Sequence, residues 1–416
     1  MVAYEKHRLD NGLTVLTHEA WDTPLATVNI LYNVGARNED PQRTGFAHLF
    51  EHLMFGGTPR VPDFDAVVSA LGGDNNAFTT NDYTDYYITV PAESLPTALM
   101  LEADRMAHLD ISLRALEVQQ HVVTEEYNQR YMNQPYGDVW LLLRPLCYKV
   151  HPYRWPTIGA DIRHVGEATL DDVHAFHRRF YRPDNSILAC AAPRRHGEML
   201  RMVQEAWKDV CNTDGMADTA GWPMEPMQQA PRFMEVRREV PAPMVYLAYP
   251  MCAHRDPMFR ACDLITDLLS NGDSSRLHRR LVVEQGLLTE ADAAITGEAD
   301  PGLLILSGKL RDGVTPDEAA EALRHEAREL AMNGVDDYEL QKVKNKYENT
   351  FVLSQYKAAD RALALCHYTW LGDTALIDRE PEEYQRVTPD MIRETASEVF
   401  CPDKENCLYY LKDETV

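Results

Sequence analysis

The chain has 416 residues, with 41 Lys and Arg against 65 Asp and Glu, for a formal net charge of −24. At roughly 100–200 residues per domain, that length predicts two to four domains, and 45% hydrophobic with 25% charged residues excludes wholesale disorder. The acidity argues against nucleic acid or an anionic membrane as main partner; it serves solubility, with a bias toward basic substrates as the narrower reading.

The first ten residues, MVAYEKHRLD, place charges where a signal peptide needs an apolar core. A cytoplasmic setting is expected, or a periplasmic one if a leader has been removed. Residues 7–17 read as two short strands around an Asn11-Gly12 turn. Residues 25–34 read as a core strand. A helix follows at 44–55, opened by Thr44 as N-cap and stopped by Gly56-Gly57. A second short helix spans 61–71. The Thr- and Tyr-rich stretch 77–90 reads as a strand hairpin. Two long helices cover 92–132, another covers 168–180, and 185–192 is a short buried strand. Residues 212–232, rich in Gly, Pro, Asp and Met, read as an interdomain linker.

Beyond the linker the order of elements repeats. Strand-like 244–250 matches 27–33, and a helix at 259–269 stands where 44–55 stood. Helices at 316–335 and 336–353 echo the pair at 92–132. The fold class is therefore α+β: two homologous domains of about 200 residues, each an antiparallel-rich sheet packed with helices. The expected division is 1–211, a linker 212–232, and 233–416. No apolar run reaches the roughly 18 residues of a membrane span. The eight cysteines form no CxxC pair, so neither a disulfide framework nor a thiolate metal site is expected.

The sharpest chemical signal is His48-Leu-Phe-Glu51-His52. On a helix, positions i and i+4 lie one turn apart on one face, and i+3 projects to the same side. Two imidazoles so placed can hold one metal, and Glu51 can act as general base. Apolar Ala47, Leu49, Phe50, Leu53 and Met54 surround the trio, and polar groups in such a setting need partners. A third ligand is available at Glu125 or Glu126. His174 and His177, at i and i+3, are the weaker alternative.

The residues 44–58, TGFAHLFEHLMFGGT, resemble the active-site helix of the pitrilysin/insulinase family of inverted-motif zinc peptidases, which includes the mitochondrial processing peptidases. Asp10-Asn11-Gly12-Leu13, the segment 72–79 (GGDNNAFT), His151-Pro152-Tyr153 and Ile158-Gly159 are similar to further family segments, so the resemblance runs through most of the chain. It implies half of a clam-shell fold and Zn2+ held by His48, His52 and Glu126, with Glu51 as catalytic base. Gln119 stands where the family has a supporting Glu. Asn76, Ala77 and Phe78 would bind peptide by main-chain strand addition.

The resemblance also exposes departures. In the second half, Asp263, Thr266 and Asp267 align with His48, Glu51 and His52, so no second metal site is expected there. After Ser275-Arg276-Leu277 the family carries an Arg and a Tyr that stabilise the oxyanion. Here those positions hold Val282 and Thr289. Losing one such donor costs about 100- to 1000-fold in turnover. The implied protein is the zinc-bearing subunit of a heterodimeric metallopeptidase acting on unfolded peptides, with a homologous partner supplying the Arg/Tyr pair. The alternative is a non-proteolytic scaffold or core-type subunit that retains the zinc site.

Overall fold

The structure is a computed structural model that describes residues 2–212 and 221–413, so 213–220 of the expected linker lie outside it. Two compact units divide the chain. The first comprises Met1–Asn128, Trp155–Trp222 and Val352–Arg379. The second comprises Gln129–Arg154, Pro223–Phe351 and Glu380–Val416.

The first unit holds strands β1 (Glu5–Arg8), β2 (Thr14–Glu19), β3 (Leu25–Tyr32), β4 (Asp74–Thr79), β5 (Thr84–Pro91) and β6 (Ser186–Ala192). They form one sheet in the order β1-β2-β6-β3-β5-β4, in which only β2 and β6 run parallel. The β1–β2 hairpin turns through Gly12 at φ +91°, a conformation that favours glycine. Every residue of β3 after Leu25 is buried, because both faces of the sheet are covered. The helix Ala358–Trp370 lies on one face and packs Ala362 and Leu365 against Leu16, Leu31, Ala189 and Ala191. The alternating residues Val28, Ile30 and Tyr32 project to the other face, and the helix Leu95–His108 packs on β3 and β5.

The second unit holds β7 (Arg232–Arg238), β8 (Met244–Pro250), β9 (Leu288–Ile295), β10 (Leu303–Leu310) and β11 (Asn406–Lys412). Their order is β7-β11-β8-β10-β9, with only β7 and β11 parallel. This reproduces β2-β6-β3-β5-β4 strand for strand and direction for direction, which is the internal repeat seen in the sequence. The helix Phe259–Ser270 follows β8 as Phe46–Leu53 follows β3. One core gathers Leu247, Leu264, Leu268, Leu306, Leu323 and Ile392 from the sheet and three helices. On the other face, the helix Val139–Cys147 packs Leu143 and Leu146 against Ala248, Ile305 and Leu408.

The units are therefore not contiguous stretches like the expected 1–211 and 233–416. Helix 139–147 covers the sheet of the second unit, and helix 358–370 covers that of the first. Each fully buried Leu on these helices contributes about 1.5–3 kcal/mol, which ties each to its sheet. Among the described residues no helix is long and apolar enough to cross a membrane.

Candidate metal centre

The helix Phe46–Leu53 (FAHLFEHL) buries Phe46, Ala47, Leu49, Phe50 and Leu53. That leaves His48, Glu51 and His52 on the remaining face, with side chains 11%, 18% and 23% exposed. A helix of two turns has a poorly determined start unless its first N–H groups are held. Thr44 does not hold them. Its hydroxyl pairs with His164 Nδ1 at 2.9 Å and accepts the Ala160 N–H at 2.8 Å. Gly45 occupies the cap at φ +88°, and a Cβ there would lie 2.8 Å from the Ile158 carbonyl oxygen and Val165 Cγ2.

The capping role falls to Glu39, which is 2% exposed. Its two carboxyl oxygens accept the N–H groups of Gly45 and Ala47, each at 2.8 Å. Burial pushes the Glu39 carboxyl up to about 8, although these two amide donors oppose the shift. Glu39 escaped the sequence reading because a cap six residues upstream has no local pattern.

Glu126 arrives on the helix Leu113–Tyr127, which Ser112 caps at the Ala115 N–H. Gln120 ties this helix down by donating to the carbonyls of Val165 and Ala168 at 2.9 and 3.0 Å. One oxygen of Glu126 lies 3.2 Å from Nε2 of both His48 and His52. Ligand atoms of the three residues all fall within 4.8 Å of one another, and this is the one such group of His, Cys, Asp and Glu among the described residues. Glu125, one position earlier, is exposed.

Glu51 Oε2 sits 3.4 Å from His48 Nδ1 and accepts a 2.6 Å hydrogen bond from the Thr79 hydroxyl. Burial works against ionisation of Glu51, but His48 and Thr79 prevail and hold its carboxyl below the usual range. For His48, burial favours the neutral ring, yet Glu126 and Glu51 raise it to about 9. Two carboxylates converging on two imidazoles thus create a place that stabilises positive charge. Two imidazoles and one carboxylate are also a donor set that suits zinc with one position left open.

The remaining candidates are placed as follows. Asn76, Ala77 and Phe78 lie on β4, the outer strand of the sheet, whose other side pairs with β5. Asn76 is exposed, and its Oδ1 accepts the Ala77 N–H at 2.9 Å; Phe78 is 36% exposed and stacks edge-on with Tyr83. Gln119 is half-buried and makes no hydrogen bond to His48, His52 or Glu126. Neighbouring Gln120 makes the anchoring bonds instead. His177 stacks on Tyr181 and Phe50 behind the helix, and among the described residues no metal-like group includes it or His174.

In the second unit, Asp263 accepts a 2.7 Å hydrogen bond from the Tyr384 hydroxyl, and burial pushes it up to about 6. Asp267 accepts from Asn271. Val282 packs on the core of this unit, and the Thr289 hydroxyl donates to the Lys309 carbonyl at 3.3 Å.

Comparison with known proteins adds to this geometry. The family profile described as Insulinase (Peptidase family M16) matches residues 14–142, and that described as Peptidase M16 inactive domain matches 167–347. The "Zinc protease PqqE" of Helicobacter pylori is 29% identical, covering 98% of this chain and 93% of that protein. An uncharacterised zinc protease of Streptomyces coelicolor is 26% identical, covering 94% and 86% respectively. The beta subunit of the mitochondrial-processing peptidase of Saccharomyces cerevisiae is 27% identical over 49% of this chain and 44% of its own. A crystal structure of a protease from Helicobacter pylori superposes with a TM-score of 0.94 at 25% identity, over 99% of this chain and 100% of that one. Pitrilysin matches in fold with a TM-score of 0.77 at 18% identity, over 99% of this chain and 45% of its own.

Proposed function

We infer that this chain, which belongs to the insulinase family of peptidases (M16), is the metal-bearing subunit of a zinc endopeptidase. The observation that carries this reading is the convergence of His48, His52 and Glu126 ligand atoms within 4.8 Å, with the Glu51 carboxyl beside them. His48, His52 and Glu126 would hold Zn2+. When bound, the ion would supply Lewis acidity toward a peptide carbonyl and make an attacking water more acidic.

The chain's own residues perform the rest. Glu51, held ionised by His48 and Thr79, takes a proton from the attacking water and returns it to the leaving amine. The outer edge of β4, which pairs with no other strand, presents its main chain to an extended peptide, which binds it as a further strand. Asn76 on that edge orients the substrate carbonyl. Such pairing reads backbone rather than side chains, so the substrates are unfolded peptides of varied sequence. Val282 and Thr289 supply no oxyanion donor of the Arg/Tyr kind, and a homologous partner subunit supplies that pair. The same two residues are what favours the second reading, a non-proteolytic subunit on this scaffold.

Glu51→Gln separates the two, because it removes the base and no ligand. The expected result, with the zinc-loaded chain and its partner, is stoichiometric zinc in both proteins and peptide cleavage in the wild type alone. Equal cleavage by both, or none by either, overturns the proposal.

A further inference from the structure

The geometry points to Cys252 and Cys262 as a redox-modifiable dithiol that closes to a disulfide under peroxide. Cys252 is partly exposed in the segment after β8, and Cys262 is buried in the helix Phe259–Ser270. Their sulfurs lie 3.9 Å apart. The segment carrying Cys252 is held at several points, so the approach is built into the backbone. Met251 N–H donates to the Gly302 carbonyl at 2.9 Å, His254 N–H to Glu298 at 3.0 Å, and Asp256 Oδ1 accepts the Met258 N–H at 2.8 Å. The His254 ring stacks on Phe259 with centroids 4.1 Å apart, fixing the loop to the first turn of the same helix.

A disulfide needs sulfurs about 2.05 Å apart, so each must move by roughly 1 Å. Rotation about the two Cα–Cβ bonds is the motion this closure calls for. The exposed thiol acts first. The Cys252 thiolate attacks hydrogen peroxide, forming an S–O bond as the O–O bond breaks, and water leaves once protonated. The Cys262 sulfur then attacks that sulfenic acid, forming S–S and breaking S–O; the departing hydroxide takes the Cys262 proton as water. Two thiols lose two electrons to one peroxide, and two waters result. The product staples the end of β8 to the helix that repeats the metal-bearing one. The partly exposed Cys401 and the exposed Cys211 have no second thiol in reach, so the same oxidant takes them to sulfenic and sulfinic acids.

The test is peptide mass mapping of the full wild-type chain after a limiting dose of hydrogen peroxide, with and without dithiothreitol. The expected product is a 252–262 cross-link lighter by two hydrogens and reversed by dithiothreitol. In Cys252→Ser, Cys262 should stay a free thiol at that dose. Sulfinic acid at Cys252 with no cross-link, or a cross-link through Cys211 between chains instead, overturns the proposal.

Discussion

Replacing Glu39 with Ala removes the acceptors that the Gly45 and Ala47 N–H groups have among the described residues at the start of the metal-bearing helix. An orphaned buried donor costs about 1–3 kcal/mol, so two set an upper range of about 2–6 kcal/mol. Against this, the carboxyl is itself costly to bury, as its rise to about 8 shows. The expected net loss is about 2–4 kcal/mol, above the roughly 0.5–2 kcal/mol of an exposed cap. Glu39→Gln keeps one carbonyl acceptor but turns an NH2 toward the other amide, so it should lose about half as much. Because His48 lies one residue beyond Ala47, fraying should also weaken zinc affinity by about tenfold. Urea unfolding reads the first quantity and chelator competition the second. A stability change under about 1 kcal/mol with unchanged zinc affinity would refute the capping argument.

Three further outcomes follow from the same region. Thr79→Val removes the hydrogen bond to Glu51, so the acid limb of the kcat/KM profile should move to higher pH, and kcat/KM should fall roughly 5- to 30-fold for a loss of about 1–2 kcal/mol; an unmoved limb counts against Thr79. Gly45→Ala meets both a left-handed φ and a 2.8 Å contact, and should destabilise by about 1–3 kcal/mol in thermal unfolding, whereas Gly197→Ala, with open space around it, should not. His177 is held neutral chiefly by burial, then by His174 and Arg178, and its ring is lowered to about 4. Its contribution is therefore complete above pH 6.5 and lost as pH falls from 6.5 through 4, about 3 kcal/mol in all; His177→Phe should flatten that slope of stability against pH.

Local features were legible in the sequence. The Asn11-Gly12 turn, the apolar run of β3 and the His48-Glu51-His52 spacing each depend on neighbours within one turn or strand. The repeat was legible because strand order survived where residues did not. What escaped rests on distant partners. Thr44 had the chemistry of a cap, but His164 claims its hydroxyl and Gly45 turns the chain away. Gln119 sat at the family's supporting position, yet Gln120, about 100 degrees around the helix, faces the carbonyls that need it. Likewise, nothing local in 139–147 or 358–370 says which sheet each helix will cover.

That exchange of covering helices bears on synthesis and on truncation. As the chain emerges, residues 1–211 can form every strand of the first sheet and bring His48, His52 and Glu126 together. Yet Leu16, Leu31, Ala189 and Ala191 remain bare until residue 370 has been made. A nascent or nicked first half therefore displays a greasy sheet face to whatever binds unfolded protein. The second sheet finds one cover, 139–147, made before it, but its strand β11 is the last element of the chain to appear. A chain stopped short of residue 358 therefore carries its reactive residues on an unfinished fold.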